Sequence, residues 1–273
     1  MRLILLGATR FSREILENLY AHGFTVELLF TIPEEFSISY SDKKVRNYNF
    51  DPELRTVAKA NKIPVLEVET TGSRLSDYRD TIQAAAPDVI LVVGWYYMVP
   101  QRIRELARYG AWGIHASLLP KYAGGAPLVW AMINGEPEVG VTLFRLGDGV
   151  DDGDIIAQRA FSIDARETIR EVYEKATIAS KSVLTKSLEQ IDQVTFTPQD
   201  KSKIEVYPQR KPADGLIDWS WDAARIGRFI RAQTRPYPGA FTVINGNKVV
   251  LWDADVEEAM DEIPGRDGNT EEM

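Results

Sequence analysis

The 273-residue chain has no cysteine and only two histidines, His22 and His115. The first absence excludes disulfides, thiolate zinc sites and a cysteine nucleophile. No segment approaches 18 consecutive apolar residues, and the opening MRLILLGATRF is too short for a signal peptide and has no small-residue cleavage pattern. A cytoplasmic protein without membrane segments is therefore expected. A surplus of base is missing as well. The formal charge is −8, yet residues 253–273 hold nine acids and one base, Arg266, which leaves 31 bases and 31 acids in residues 1–252. A neutral body with an acidic end argues against nucleic acid as the main partner, because polyanion binding draws on excess Lys and Arg. The first turn, GATRFS, has Gly7 but lacks the second and third glycines of the dinucleotide fingerprint, so hydride chemistry gets little support.

What is present is a core-forming composition, 44% hydrophobic, in a length that suits one large domain plus a small one. Short apolar runs alternate with segments of helical period, the pattern of a parallel sheet flanked by helices. RLILLG, TVELLFT, PVLEV, DVILVVGW and AWGIHA read as five strands before residue 117. FSREILENLYAHG reads as a helix stopped by Gly23, and DPELRTVAKANK as another, capped by Asp51 with Pro52 at its first position. A polar loop is expected between the second strand and that helix. Further on come a short helix at PLVWAMING, strands at VGVTLFRL and DIIAQRAFSI, and a long helix whose capping box is assigned to Asp164 and Glu167. The expected fold is α/β, Rossmann-like, with a catalytic domain at 1–200 and a small β-rich module at 201–273. That module ends in a hairpin turning at Asn245-Gly246 and a solvated acidic tail.

Two stretches carry candidate chemistry. GIHASLLPKYAGGAP puts His115 at the end of an apolar strand, where ligands bind in open parallel sheets. The loop that follows, with Pro120, Gly124, Gly125 and Pro127, suits the wall of a pocket. LGDGVDDGDII gathers Asp148, Asp151, Asp152 and Asp154 among glycines, but the spacing fails the calcium-loop pattern and no metal site is assigned. A histidine and an aspartate in one cleft are equipment for acid and base work near neutral pH. His22, at a helix end beside Gly23, complements the helix dipole and is given no chemistry.

The block GIHASLLPKYAGGAPLVWAMINGEPEVGVTLFRLGDGVDDGDIIAQ resembles the core of the formyltransferases that use formyltetrahydrofolate, which include methionyl-tRNA formyltransferase and the sugar-nucleotide N-formyltransferases. DGLIDWSW and RPYPGAF extend the resemblance into the second module. It implies the formyltransferase fold, 10-formyltetrahydrofolate as co-substrate, and His115 and Asp151 as catalytic residues. The family's third catalytic residue, an asparagine, is replaced here by Gly113. The resemblance also implies that the pterin lies against the loop of Gly94, Trp95, Tyr96, Tyr97, Met98 and Val99. Ser117, Lys121, Tyr122, Gly124, Gly125, Trp130 and Arg210 are candidates for binding the acceptor.

Two acceptors are open. The neutral body, short second module and acidic end favour a nucleotide-linked amino sugar, whose diphosphate needs few cations. Arg225, Arg228, Arg231 and Arg235 share one helix face, opposite Ile226, Phe229 and Ile230, and form either a solvated face or a phosphate clamp. Lys43, Lys44 and Arg46, in the segment 37–50 that the family places near the acceptor, keep transfer RNA as the alternative. A folate- or nucleotide-binding protein that lost efficient catalysis along with the asparagine is the third reading. By analogy with sugar-modifying relatives, a homodimer is allowed.

Overall fold

A computed structural model describes residues 1–38, 41–47, 49–68 and 72–257. In chain order the elements are β1 (Arg2–Leu6), α1 (Arg10–Ala21), β2 (Thr25–Thr31), β3 (Glu35–Ile38), β4 (Ser41–Arg46), α2 (Glu53–Ala60), β5 (Val65–Glu67), α3 (Arg79–Ala85), β6 (Val89–Val92), α4 (Gln101–Arg104), β7 (Ala111–His115), β8 (Ala123–Gly124), α5 (Pro127–Asn134), β9 (Glu138–Arg145), β10 (Ile155–Ser162), α6 (Ile169–Glu189), β11 (Val206–Tyr207), α7 (Ala223–Ala232), β12 (Ala240–Ile244) and β13 (Asn247–Leu251).

Seven strands form one mixed sheet in the order β10-β9-β7-β6-β1-β2-β5. β5, β2, β1, β6 and β7 run parallel, while β9 and β10 are antiparallel additions at one edge. The period of two along β1 divides the core. Leu3 and Leu5 join the cluster that takes in α1, α5, α6 and α7, while Ile4 and Leu6 join the cluster on the opposite face, with Ile82 of α3 and Ile103 of α4. Burying such a side chain fully contributes about 1.5–3 kcal/mol, so the sheet's inner residues carry most of the stability.

The chain leaves β1 toward β2 and β5, then crosses to β6 and β7 on the other side of β1. The switch point therefore lies between β1 and β6, where open parallel sheets bind ligands. Here the loops after the two strands are laced together. Ser12 Oγ donates to Val93 O at 2.6 Å and accepts from Ala8 N and Thr9 N at 3.1 Å, while Ala8 N donates to Gly94 O at 3.2 Å. Gly94 has φ +63, and a Cβ there would stand 2.1 Å from Thr9 Oγ1, so only glycine allows the approach.

Two expectations are corrected. The stretch after β2 is no plain polar loop, because β3 and β4 pair antiparallel there. The long helix starts later than expected: Thr168 caps α6, with Glu171 carboxylate accepting from Thr168 N at 2.7 Å. Glu167 does reach back to Asp164 N at 2.9 Å, but that bond closes a turn before the helix. Consecutive copies of one S/T/D-x-x-E signal, 164–167 and 168–171, explain the misplacement.

The second module consists of α7, packed on α5, and the β12–β13 hairpin. Asn245 and Gly246, with φ +50 and +76, form the hairpin's turn. Tyr173 of α6 stacks on Tyr237, their hydroxyls 2.7 Å apart, and joins this module to the large domain. No helix among the described residues is long and apolar enough to cross a membrane. Most of the acidic tail, and the side chains of Lys43 and Lys44, lie outside the described residues.

Candidate active site

β7 ends on His115, and the residues after it fold into a loop pinned from behind by the next strand. Thr142 of β9, fully buried, donates to Ser117 O at 2.6 Å and accepts from Leu119 N at 3.1 Å. Gln158 of β10 donates to Leu119 O and Thr142 Oγ1, both at 2.8 Å. Within the loop, Ser117 Oγ donates to Lys121 O at 2.6 Å. Ser117 thereby braces the loop, and Lys121 contributes a carbonyl to it while its side chain is exposed.

That loop delivers Tyr122 O to His115, whose Nε2–H donates to it at 2.8 Å. A carbonyl only accepts, so Nε2 carries the hydrogen. His115 Nδ1 faces Asp151 Oδ2 at 3.4 Å. Asp151 Oδ2 also accepts from Gly124 N at 2.8 Å, and the residue takes a left-handed φ of +50. Imidazole and carboxylate, 36 positions apart in sequence, thus meet over the end of β7. The histidine is 8% exposed, so its nitrogens work largely out of water.

The remaining aspartates of the Asp-rich turn hold it together. Asp148 pairs with Arg104, Asp152 with Lys201 at 3.1 Å, and Asp154 with Arg145. Arg104 also donates to Leu146 O at 2.7 Å. Among the described residues no group of three or more His, Asp or Glu could hold a metal ion.

Gly113 faces apolar carbon rather than an open donor position. A Cβ on it would lie 2.8 Å from Leu146 Cδ2 and 3.0 Å from Phe144 Cε1. Gly124 and Gly125 receive another segment of the chain. β11 pairs with β8, Gly125 N donates to Tyr207 O at 2.8 Å, and a Cβ on Gly125 would stand 2.5 Å from Gln209 Cα.

From Tyr122 an aromatic row leads away from the histidine. Its ring lies 4.8 Å from that of Tyr207, which lies 5.6 Å from Trp130. Trp130 donates to Pro208 O at 2.9 Å, and the Arg210 guanidinium covers its other contact face at 4.7 Å from the ring centre. Arg210 bonds only neutral acceptors, Asp214 O at 2.6 Å and Gln233 Oε1 at 2.8 Å, and its Nε is buried without a partner. Burial lowers its pKa, and no carboxylate pairs with it among the described residues. Burial likewise pushes the Tyr122 phenol up to about 12, although Asn134 donates to its oxygen.

The loop of Gly94, Trp95, Tyr96, Tyr97, Met98 and Val99 follows β6, the strand next to β7, so it shares the sheet edge that carries His115. Tyr96 donates to Asn47 Oδ1 at 2.8 Å, and Met98 is exposed while Val99 is buried. Trp95 Nε1 and Tyr97 Oη are buried with no hydrogen-bond partner. Desolvation lifts the Tyr97 phenol to about 12. Two unspent donors in one loop suit a heteroaromatic ring with acceptor atoms.

Sequence reasoning missed Thr142 and Gln158. Thr142 is the one polar residue in the stretch Val139–Phe144 of β9. Elsewhere, His22 Nδ1 lies 2.8 Å from Asn18 O at the end of α1, and Arg46 pairs with Glu34 at 2.7 Å.

Known proteins resemble this chain in sequence and in fold. The family model described as formyl transferase matches residues 1–188, and the one described as formyl transferase, C-terminal domain, matches 210–271. A methionyl-tRNA formyltransferase of Alkaliphilus oremlandii is 34% identical over 269 residues, 97% of this chain and 84% of that protein. Among solved structures, a 4-N formyltransferase from Francisella tularensis superposes with a TM-score of 0.71 at 18% identity, covering 94% of this chain and 98% of that one. An N-formyltransferase from Helicobacter canadensis, in complex with folinic acid and dTDP-3-aminofucose, gives a TM-score of 0.63 at 20% identity over 90% and 85% of the two chains. At such identity these two likenesses speak for the fold, whereas the matched family models and the sequence relative place the chain itself: it belongs to the formyl transferase family.

Proposed function

We propose that this enzyme moves the formyl group of 10-formyltetrahydrofolate onto the amine of a nucleotide-linked amino sugar, using His115 and Asp151. The observation that carries the choice of acceptor is Arg210. It is a half-buried cation in no ion pair among the described residues, with Asp214 acting on it only at longer range, and it is stacked on Trp130 at the end of an aromatic row that starts beside His115. A cation and a stacking platform fit a nucleoside diphosphate. The loop at 94–99, with its unspent Trp95 and Tyr97 donors, would hold the pterin.

The chemistry follows from which atoms are already engaged. His115 Nε2–H is committed to Tyr122 O, so Nδ1, on the side of the ring it shares with the Asp151 carboxylate, is the nitrogen left to act on the reacting atoms. The amine attacks the formyl carbon with its lone pair, and the carbonyl electrons move onto oxygen. The Nδ1 side of the imidazolium stabilises that oxyanion. Asp151 keeps the ring oriented and accepts the proton released by the attacking nitrogen. Collapse of the tetrahedral species breaks the bond to the folate nitrogen, which leaves with the proton that Asp151 took from the amine. Holding both reactants in one cleft supplies much of the rest of the acceleration.

Formyl transfer from the folate, assayed against a panel of amino-sugar nucleotides, tests the reading. Turnover on one of them, lowered by about 10²–10⁴ in His115→Ala and Asp151→Asn, is the expected result. Folate binding with no turnover on any acceptor would mean a binding protein instead.

A second reading, methionyl-tRNA as acceptor, is favoured by the sequence relative and by Arg225, Arg228, Arg231 and Arg235. None of these forms an ion pair among the described residues: Arg225 stacks on Trp221 at 4.3 Å and Arg235 on Trp252 at 4.9 Å. Gel retardation of aminoacylated tRNA, together with its formylation, would make this the better account.

A further inference from the structure

We infer that Gln199 is a positioning residue for formyl transfer, holding the Asp151 carboxylate over His115; this rests on the catalytic reading above. Gln199 follows α6 and belongs to no strand or helix. It is brought in by a local pairing: Ile155 N donates to Thr197 O at 2.8 Å and Thr197 N to Ile155 O at 2.9 Å, fastening the segment beside the first residue of β10. Two residues later the Gln199 amide, 92% buried by its 8% exposure, reaches under the Asp-rich turn. Its Nε2 donates to Asp151 O and to Gly153 O, both at 2.7 Å.

Those two carbonyls bracket the turn that aims the carboxylate. Asp151 is held at φ +50, a conformation that an aspartate keeps only when its surroundings fix it. One fixing bond is visible on the side chain, from Gly124 N. The other two lie on the backbone and come from a single NH2 group. Gly153 cannot supply a substitute anchor, since its own Cα is pressed against Arg145 O, 1.7 Å from where a Cβ would sit. Lys201 pairs with Asp152 and Arg145 with Asp154, but both act on neighbouring side chains and do not hold the Asp151 carbonyl. Gln199 Oε1 has no partner, so the residue is placed there for its donors.

The role makes the charge of the group decisive. Glu has the same shape as Gln but presents acceptors to two carbonyls, so Gln199→Glu reverses the interaction without creating a cavity. Gln199→Glu is expected to lower kcat 30-fold or more while KM for folate and acceptor stays within threefold. In the NMR spectrum the His115 ring signals should move, with the His22 signals unchanged as an internal reference. Gln199→Asn, which retains an NH2 donor on a shorter stem, should recover part of kcat. Combined with Asp151→Asn, Gln199→Glu should add little further loss, because both changes act on one group. Thermal melting of each variant identifies any that do not fold, and the Asn variant then carries the test.

Wild-type kcat in a folded Gln199→Glu, with an unmoved His115 signal, overturns the inference while leaving the mechanism standing if Asp151→Asn is inactive. An Asp151→Asn variant with full turnover overturns the mechanism itself and the inference with it. A Gln199→Glu effect confined to KM also overturns the inference, since it would place Gln199 in binding.

Discussion

Leu146 occupies the space in front of Gly113, so that a Cβ added there would stand 2.8 Å from Leu146 Cδ2. The family's asparagine therefore has no room in this chain. Gly113→Asn alone should destabilise by about 1–3 kcal/mol through overpacking, read as a lower urea midpoint. Gly113→Asn with Leu146→Ala opens the space, and one added oxyanion donor is worth about 10²–10³ in kcat where its geometry is right. Single-turnover formyl transfer should rise at least tenfold in the double variant. If it does not, the position is no longer an oxyanion site.

Thr142 is a buried hydroxyl with two bonds to the loop that follows His115 and a third from Gln158 of β10. Thr142→Val keeps the shape but strands Ser117 O and Leu119 N, at about 1–3 kcal/mol for each unsatisfied group. The expected loss is about 2–4 kcal/mol in chemical denaturation, together with a fall in kcat, because Tyr122 O is positioned by the same loop. Loss of stability with kcat unchanged would uncouple the loop from the histidine.

Phenols that titrate late because they are buried include Tyr97 and Tyr122 at about 12, Tyr237 above its ordinary value and Tyr173 well above it. In the unfolded chain they ionise near pH 10. Their folded values are raised, so the stability they favour is fully present below pH 10 and is lost as pH rises toward the folded values. Melting temperature should fall steeply between pH 10 and 12. Tyr97 Oη has no partner, so Tyr97→Phe should change stability little at pH 7 and flatten the alkaline slope. An alkaline slope equal to the wild type's would contradict the burial of that phenol.

The Arg210–Trp130 stack sets the acceptor's affinity if the sugar-nucleotide reading holds. Arg210→Met and Trp130→Ala should each weaken nucleoside-diphosphate binding tenfold or more by calorimetry, with folate binding unchanged. Equal affinity in both variants would move the acceptor site elsewhere.

Much of this was legible in the sequence, and the rest was hidden for physical reasons. The five parallel strands announced themselves as apolar runs, and the Asn245-Gly246 turn by its need for positive φ. His115 and Asp151 stood out because each sits in an unusual local composition. The β3–β4 pair did not, since its strands are short and polar. The β8–β11 ladder is two residues long and joins positions more than eighty apart, which no local pattern can encode. Gln199 is a single neutral amide in an irregular stretch, and its meaning exists only once Asp151 has been folded against it.

The short ladder from Ala123–Gly124 to Val206–Tyr207 ties a segment of the chain beyond α6 to the His115–Asp151 pair. The carbonyl gripping His115 belongs to residue 122 and the amide gripping Asp151 to residue 124, so the strand leaning on them is a buttress of the catalytic pair. A change that levers this buttress aside would loosen imidazole and carboxylate together, though it touches neither.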